Sequence, residues 1–140
     1  MKNRVLGLIA ALGLSACALT GPTVDEVTAA YKTELNAPHK ETIRENIIED
    51  CAKFYRKEIR TIDTCYMKGD VIVYETRLTN NRWQWNPQAA STTSGYILKD
   101  FCTNPAKLDA LKHGFGLLVN LTGKNGFVGK VKSYKDCQTL

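Results

Sequence analysis

Five cysteines, Cys17, Cys51, Cys65, Cys102 and Cys137, constrain this chain more than any other feature, because the stretch ahead of the first one sets their redox environment. The N-terminus reads MKNRVLGLIAALGLSAC, in which Lys2 and Arg4 form a positive start and Val5 to Leu14 an apolar run too short to span a bilayer. That pattern is a secretory signal, so the chain is expected to meet an oxidising compartment. Cys17 closes the leader, and the other four cysteines form an even set suited to disulfides. Three pairings are possible. Cys51 with Cys65 and Cys102 with Cys137 is favoured, since each bond would join a helix to a strand packed beside it. For loops of these spacings the chain-entropy account gives roughly 3 to 4 kcal/mol per bond. Metal ligation is the competing use of thiols, but the chain has no CxxC pair, and His39 and His113 stand apart from the cysteines. No metal and no cofactor are expected.

Leu14-Ser15-Ala16-Cys17 resembles the lipobox of bacterial lipoproteins, in which the cysteine thiol takes a diacylglyceryl group before the leader is cut. The resemblance implies a signal peptide over residues 1–16, a lipidated tether over 17–22 and a single domain over 23–140. Each buried methylene of an acyl chain contributes about 0.8 kcal/mol, so several chains on Cys17 would hold the protein without a membrane-spanning helix. In Gram-negative lipoproteins an aspartate after the cysteine commonly causes inner-membrane retention. Ala18 stands there, which implies an outer-membrane address with the domain facing the periplasm.

The chain has 140 residues and a formal charge of +5. Loss of Lys2 and Arg4 with the leader leaves about +3, spread thinly along the sequence. That is weaker than the footprint of a nucleic-acid binder, so no nucleic-acid partner is expected.

Thr23 to Glu26 fits a capping box, and Val24, Val27, Tyr31 and Leu35 recur at helical spacing, which predicts a helix near residues 23–35. Asn36-Ala37-Pro38 breaks it and starts a second helix, with Ile43, Ile47 and Cys51 on its apolar face, running to about Lys57. Ile62, Thr64 and Tyr66 then alternate with polar residues, and Lys68-Gly69 turns the chain into a strand from Val71, a β-hairpin. Asn80 to Ser94 carries turn residues, Pro87 and a Ser/Thr run, and reads as a long loop around Trp83 and Trp85. Tyr96 to His113 suits a helix bent near Asn104-Pro105 and capped by Gly114. A strand over Gly116 to Leu121, an Asn125-Gly126 turn and a returning strand from Phe127 to Tyr134 complete the pattern. The order α-α-β-β-α-β-β predicts an α+β domain with an antiparallel sheet of about four strands, helices on one face and two disulfides.

No catalytic group declares itself. GxSxG, HExxH and a Walker loop are all missing, and the aspartates are scattered, so no catalytic residue is assigned and no enzyme activity is expected. His113, at a helix C-terminus, reads as a partner for the helix dipole. Trp83 and Trp85 would share a face if extended, and aromatic residues are enriched at interface hot spots, so they are the candidate partner-binding pair.

A strand such as Val71-Ile-Val-Tyr74, a later helix with Cys102-Thr-Asn-Pro105, a glycine stop, a hairpin and a final Asp136-Cys137 resemble small Gram-negative envelope lipoproteins. Among named members the pattern is most similar to type II secretion pilotins of the AspS kind. That resemblance implies a non-catalytic lipoprotein that binds a C-terminal segment of a secretin subunit and carries it to the outer membrane. The alternative is an exclusion or inhibitor lipoprotein that blocks a phage, a conjugation apparatus or a hydrolase.

Overall fold

In the computed structural model the described residues are 21–33 and 39–140. The leader, Cys17, Ala18, most of the tether and the Asn36–Pro38 break lie outside them. Among the described residues no helix is long and apolar enough to cross a membrane.

The chain runs α1 (Val24–Ala30), α2 (Lys40–Lys53), β1 (Tyr55–Lys57), β2 (Thr61–Lys68), β3 (Val71–Leu78), α3 (Pro87–Thr103), α4 (Pro105–Lys112), β4 (Gly116–Thr122), β5 (Phe127–Val128) and α5 (Tyr134–Cys137). It is an α+β domain with one five-stranded sheet in the order β1-β2-β3-β4-β5.

The first hairpin forms as its alternation requires. Lys68 pairs with Val71 across a two-residue turn, where Gly69 takes φ 60°, a conformation that costs glycine little. The turn is clamped from α2: Lys40 Nζ lies 3.0 Å from Asp70 Oδ2, and Arg44 reaches both Asp70 and the Gly69 carbonyl.

The sheet is mixed, which corrects the expectation of an antiparallel one. β3 and β4 pair in parallel, Val71 beside Gly116 through Arg77 beside Thr122. Parallel neighbours need a long crossover. The chain supplies two helices, α3 and α4, which carry it back to the starting end of β3. Helices are also not confined to one face. On one side Ile72 and Leu117 pack with Leu98, Phe101, Leu111 and Phe115 of the α3–α4 layer, and with Ile43 and Ile47 of α2. On the other, Val71, Val73 and Leu118 meet Val24 and Val27 of α1, together with Tyr31, Val128 and Val131. Burial between two layers explains why Val71–Tyr74 of β3 and Leu117–Val119 of β4 each read as an apolar run.

Four boundaries differ from the sequence expectation. The capping box at Thr23 and Glu26 forms, but α1 ends at Ala30, because Tyr31 turns extended and donates its hydroxyl to the Gly114 carbonyl at 3.0 Å. α2 stops at Lys53, and the residues after Phe54 form the edge strand β1 instead of a last helical turn. The stretch expected to be a loop to Ser94 becomes helical at Pro87. Asn86 accepts the Ala89 N–H as N-cap, and Pro87 occupies the first turn, where its missing N–H costs nothing. The last strand is only two residues long, with one further bridge between Leu117 and Lys132, before α5 begins.

Asn104 separates α3 from α4 and serves both. Its backbone N–H caps α3 on the Asp100 carbonyl, while its side chain accepts from the Ala106 and Lys107 N–H groups. Cys51 is bonded to Cys65, which ties α2 to β2 as a helix–strand pair. Cys102 is bonded to Cys137, but Cys137 sits on α5, so this bond joins two helices.

Candidate functional site

A groove of about 720 Å³ opens between α3 and the segment that follows β4. Its floor is sheet: Leu117 and Val119 point from β4 toward the α3 layer and are almost wholly buried. One wall is α3, which presents Ala90, Ser94 and Leu98 at successive helical turns with Ser91 and Gly95 beside them. The opposite wall is the stretch from Asn125 to Lys132.

The groove exists because the α3 wall is lined mostly by small side chains, Ala90, Ser91, Ser94 and Gly95. Alanine, serine and glycine cannot fill the space a leucine or phenylalanine would occupy between a helix and a sheet. The far wall is held at a distance by its own backbone. Asn125 takes φ 57° in the Asn-Gly turn, Phe127 and Val128 pair with Leu121 and Asn120, and Gly129 N–H donates to the Val119 carbonyl at 2.9 Å. Lys132 then exchanges both backbone hydrogen bonds with Leu117 at 2.8 Å. The edge of β4 is therefore covered by a short, interrupted strand that leaves room above it.

Three features distinguish this groove. Phe127 is 44% exposed at its rim, a large apolar ring held on a strand and only partly covered. Ser94 has a buried Oγ without a hydrogen-bond partner among the described residues, and buried hydroxyls are normally satisfied. The charge is one-sided, since Lys130 and Lys132 line the groove and no aspartate or glutamate does.

The two tryptophans separate. Residues 83–85 have no strand geometry, and the rings have different partners. Trp85 closes one end of the groove, with its indole N–H donated to the Thr122 carbonyl at 3.0 Å and its backbone N–H to Lys124. Trp83 instead lies under the Arg60 guanidinium, 4.1 Å from the ring centroid. Only Trp85 of the expected pair lines the groove. Phe127, Ser94 and the small face of α3 escaped the sequence reading, because Ala89 to Gly95 has loop-like composition. Asn86-Pro87 was the available signal, an N-cap followed by a first-turn proline.

A second hollow is lined in part by Arg56, Asp63, Tyr74 and Tyr96. Asp63 is buried there and accepts from Arg56 Nε at 2.9 Å and Nη2 at 2.7 Å. The pairing raises the pKa of Arg56, chiefly through the hydrogen bond and then through the carboxylate charge. Burial, helped by the Asp63 charge, pushes the Tyr74 hydroxyl up to about 12. Arg56 and Asp63 thus hold one another across β1 and β2.

The molecule is thus a small disulfide-bonded α+β domain with an apolar, basic-rimmed groove at one sheet edge. Its fold is similar to that of a solved pilotin, EpsS, from the type 2 secretion system of Vibrio vulnificus, with a TM-score of 0.51 at 8% identity, covering 71% of this chain and 91% of that one. No protein-family model matches the sequence, and no curated protein matches it.

Proposed function

We propose that this chain is a pilotin-like lipoprotein, anchored at the outer membrane by lipid on Cys17, whose α3–β5 groove holds a C-terminal helical segment of a secretin subunit. The observation that carries the reading is the groove itself, on a fold shared with a secretion pilotin. An amphipathic helix presents an apolar stripe of residues at i, i+3, i+4 and i+7, which matches an apolar floor flanked by an exposed aromatic ring. A small-molecule site would instead gather several convergent polar groups over its apolar lining. Here the polar side chains are spread along the walls and rim: Asn86, which caps α3, Ser91, Ser94, Asn125 and the two lysines. The lysines favour a segment with acidic residues beside its apolar stripe, and they discourage a basic one.

The role needs no catalysis. The domain contributes a binding surface, and the lipid contributes the address. Deletion of the gene in its own host should leave secretin subunits unassembled or in the wrong membrane, as read by heat-resistant multimers and membrane fractionation. Unchanged secretin assembly and location would exclude the proposal and favour an exclusion or inhibitor lipoprotein. The anchor has its own test: labelled palmitate should enter the wild-type chain and be absent from Cys17→Ser, and equal labelling of both would rule out lipidation at Cys17.

A further inference from the structure

His39 and His113 stand 74 residues apart in sequence, yet their Nε2 atoms meet at 2.6 Å. Each ring is free of other duties at that nitrogen. His39 is the N-cap of α2, but its side chain makes no capping hydrogen bond. His113 ends α4 and is fixed from behind: Nδ1 lies 2.8 Å from the Asp109 carbonyl and 3.4 Å from its carboxylate. A proton on Nδ1, donated to those oxygens, leaves the Nε2 lone pair pointing at His39. Metal-bound histidines are commonly arranged this way, with the second nitrogen donated to a carbonyl or carboxylate that sets the tautomer.

The two rings meet edge-on, with centroids 4.6 Å apart and planes at 76°, so both Nε2 atoms converge on one point instead of stacking. With its proton on Nε2, His39 donates to the His113 lone pair; with that proton on Nδ1, two lone pairs face each other, and a positive centre between them relieves the contact. The neighbouring lysine is not in competition, because Lys40 is paired with Asp70.

We propose that His39 and His113 form a two-imidazole site for a divalent transition ion of the zinc class. Imidazole nitrogen suits zinc, copper and nickel. Zinc–nitrogen bonds of about 2.0–2.1 Å place two tetrahedral ligands roughly 3.3 Å apart, so the rings must part by about 0.7 Å. The exposed His39 ring supplies that movement by side-chain rotation. Water completes the coordination, which makes this an exchangeable site and not a structural one of four protein ligands. Because the ligands come from α2 and α4, a bound ion bridges two elements and stabilises the folded form.

The test is a zinc sulfate titration of the chelator-treated full chain, followed by calorimetry and by the histidine ring resonances in NMR. The expected result is saturable binding of one equivalent, with both ring signals moving together and the melting temperature rising. His113→Gln and His39→Gln should each weaken binding at least tenfold. His39 is exposed, so its variant keeps the test valid if the other fails to fold. Absence of saturable binding, or binding unchanged in His39→Gln, would overturn the proposal and leave the contact as a proton shared between two imidazoles.

Discussion

Asp63 and Tyr74 lie on adjacent strands of the sheet, and one charge connects them. Asp63 is buried with its carboxylate on Arg56, and that negative charge adds to burial in holding the Tyr74 hydroxyl protonated. The folded pKa, about 12, exceeds the ordinary 10.0 of an unfolded tyrosine, so the folded state keeps its proton longer. Stability from this group is therefore whole below about pH 10 and is lost as pH rises toward 12. Tyr74→Phe should flatten the fall in stability over that alkaline window, as measured by urea unfolding at stepped pH. A fall as steep as in the wild type would place the titrating group elsewhere. At this scale the sequence shows little. Asp63 reads as one more solvated aspartate, and the meeting of His39 with His113 depends on α2 and α4 arriving at the same place, which no local pattern encodes.

Elements were more legible wherever periodicity is strong. The hairpin of β2 and β3, the capping box of α1 and the strand after Gly114 follow from alternation, spacing and glycine, and the structure has each of them. Composition misled at Ala89 to Gly95, since serine and threonine favour turns when read alone, whereas Asn86, Pro87 and burial against β4 make the segment helical. The same small residues make the groove, so misreading one element hid the site. Gly116 marks the start of the parallel pair. A side chain there would collide with Val131 and come within 3.2 Å of the Tyr31 ring, so glycine lets β4 begin beside Val71 without displacing either. Sequence reading paired each hairpin correctly but could not see the contact between β3 and β4, which depends on the α3–α4 crossover. The bond between Cys102 and Cys137 holds that crossover to the C-terminal turn. With 35 residues between the cysteines, replacing both by serine should cost about 4 kcal/mol, against about 3 kcal/mol for the Cys51–Cys65 pair 14 residues apart. Chemical denaturation of the two double variants measures the difference, and equal losses would contradict the loop-entropy ordering.

For the whole molecule, the proposed role divides the work between lipid on Cys17 and the domain that carries the groove. The lipobox resemblance at Cys17 and the groove over β4 are separate features, and the proposed pilotin role needs both: the first would fix the membrane and the second would select the cargo. Ser94 lies on the α3 wall of the groove, so a tryptophan there obstructs it. The most direct measurement is an NMR titration of the isotope-labelled protein with a peptide from the C-terminal segment of the secretin made in the same cell. The expected result is saturable binding that perturbs residues along α3 and from Asn125 to Lys132, lost in Ser94→Trp while the spectrum of that variant stays folded. No binding, or binding that maps away from the groove and survives Ser94→Trp, would contradict the account.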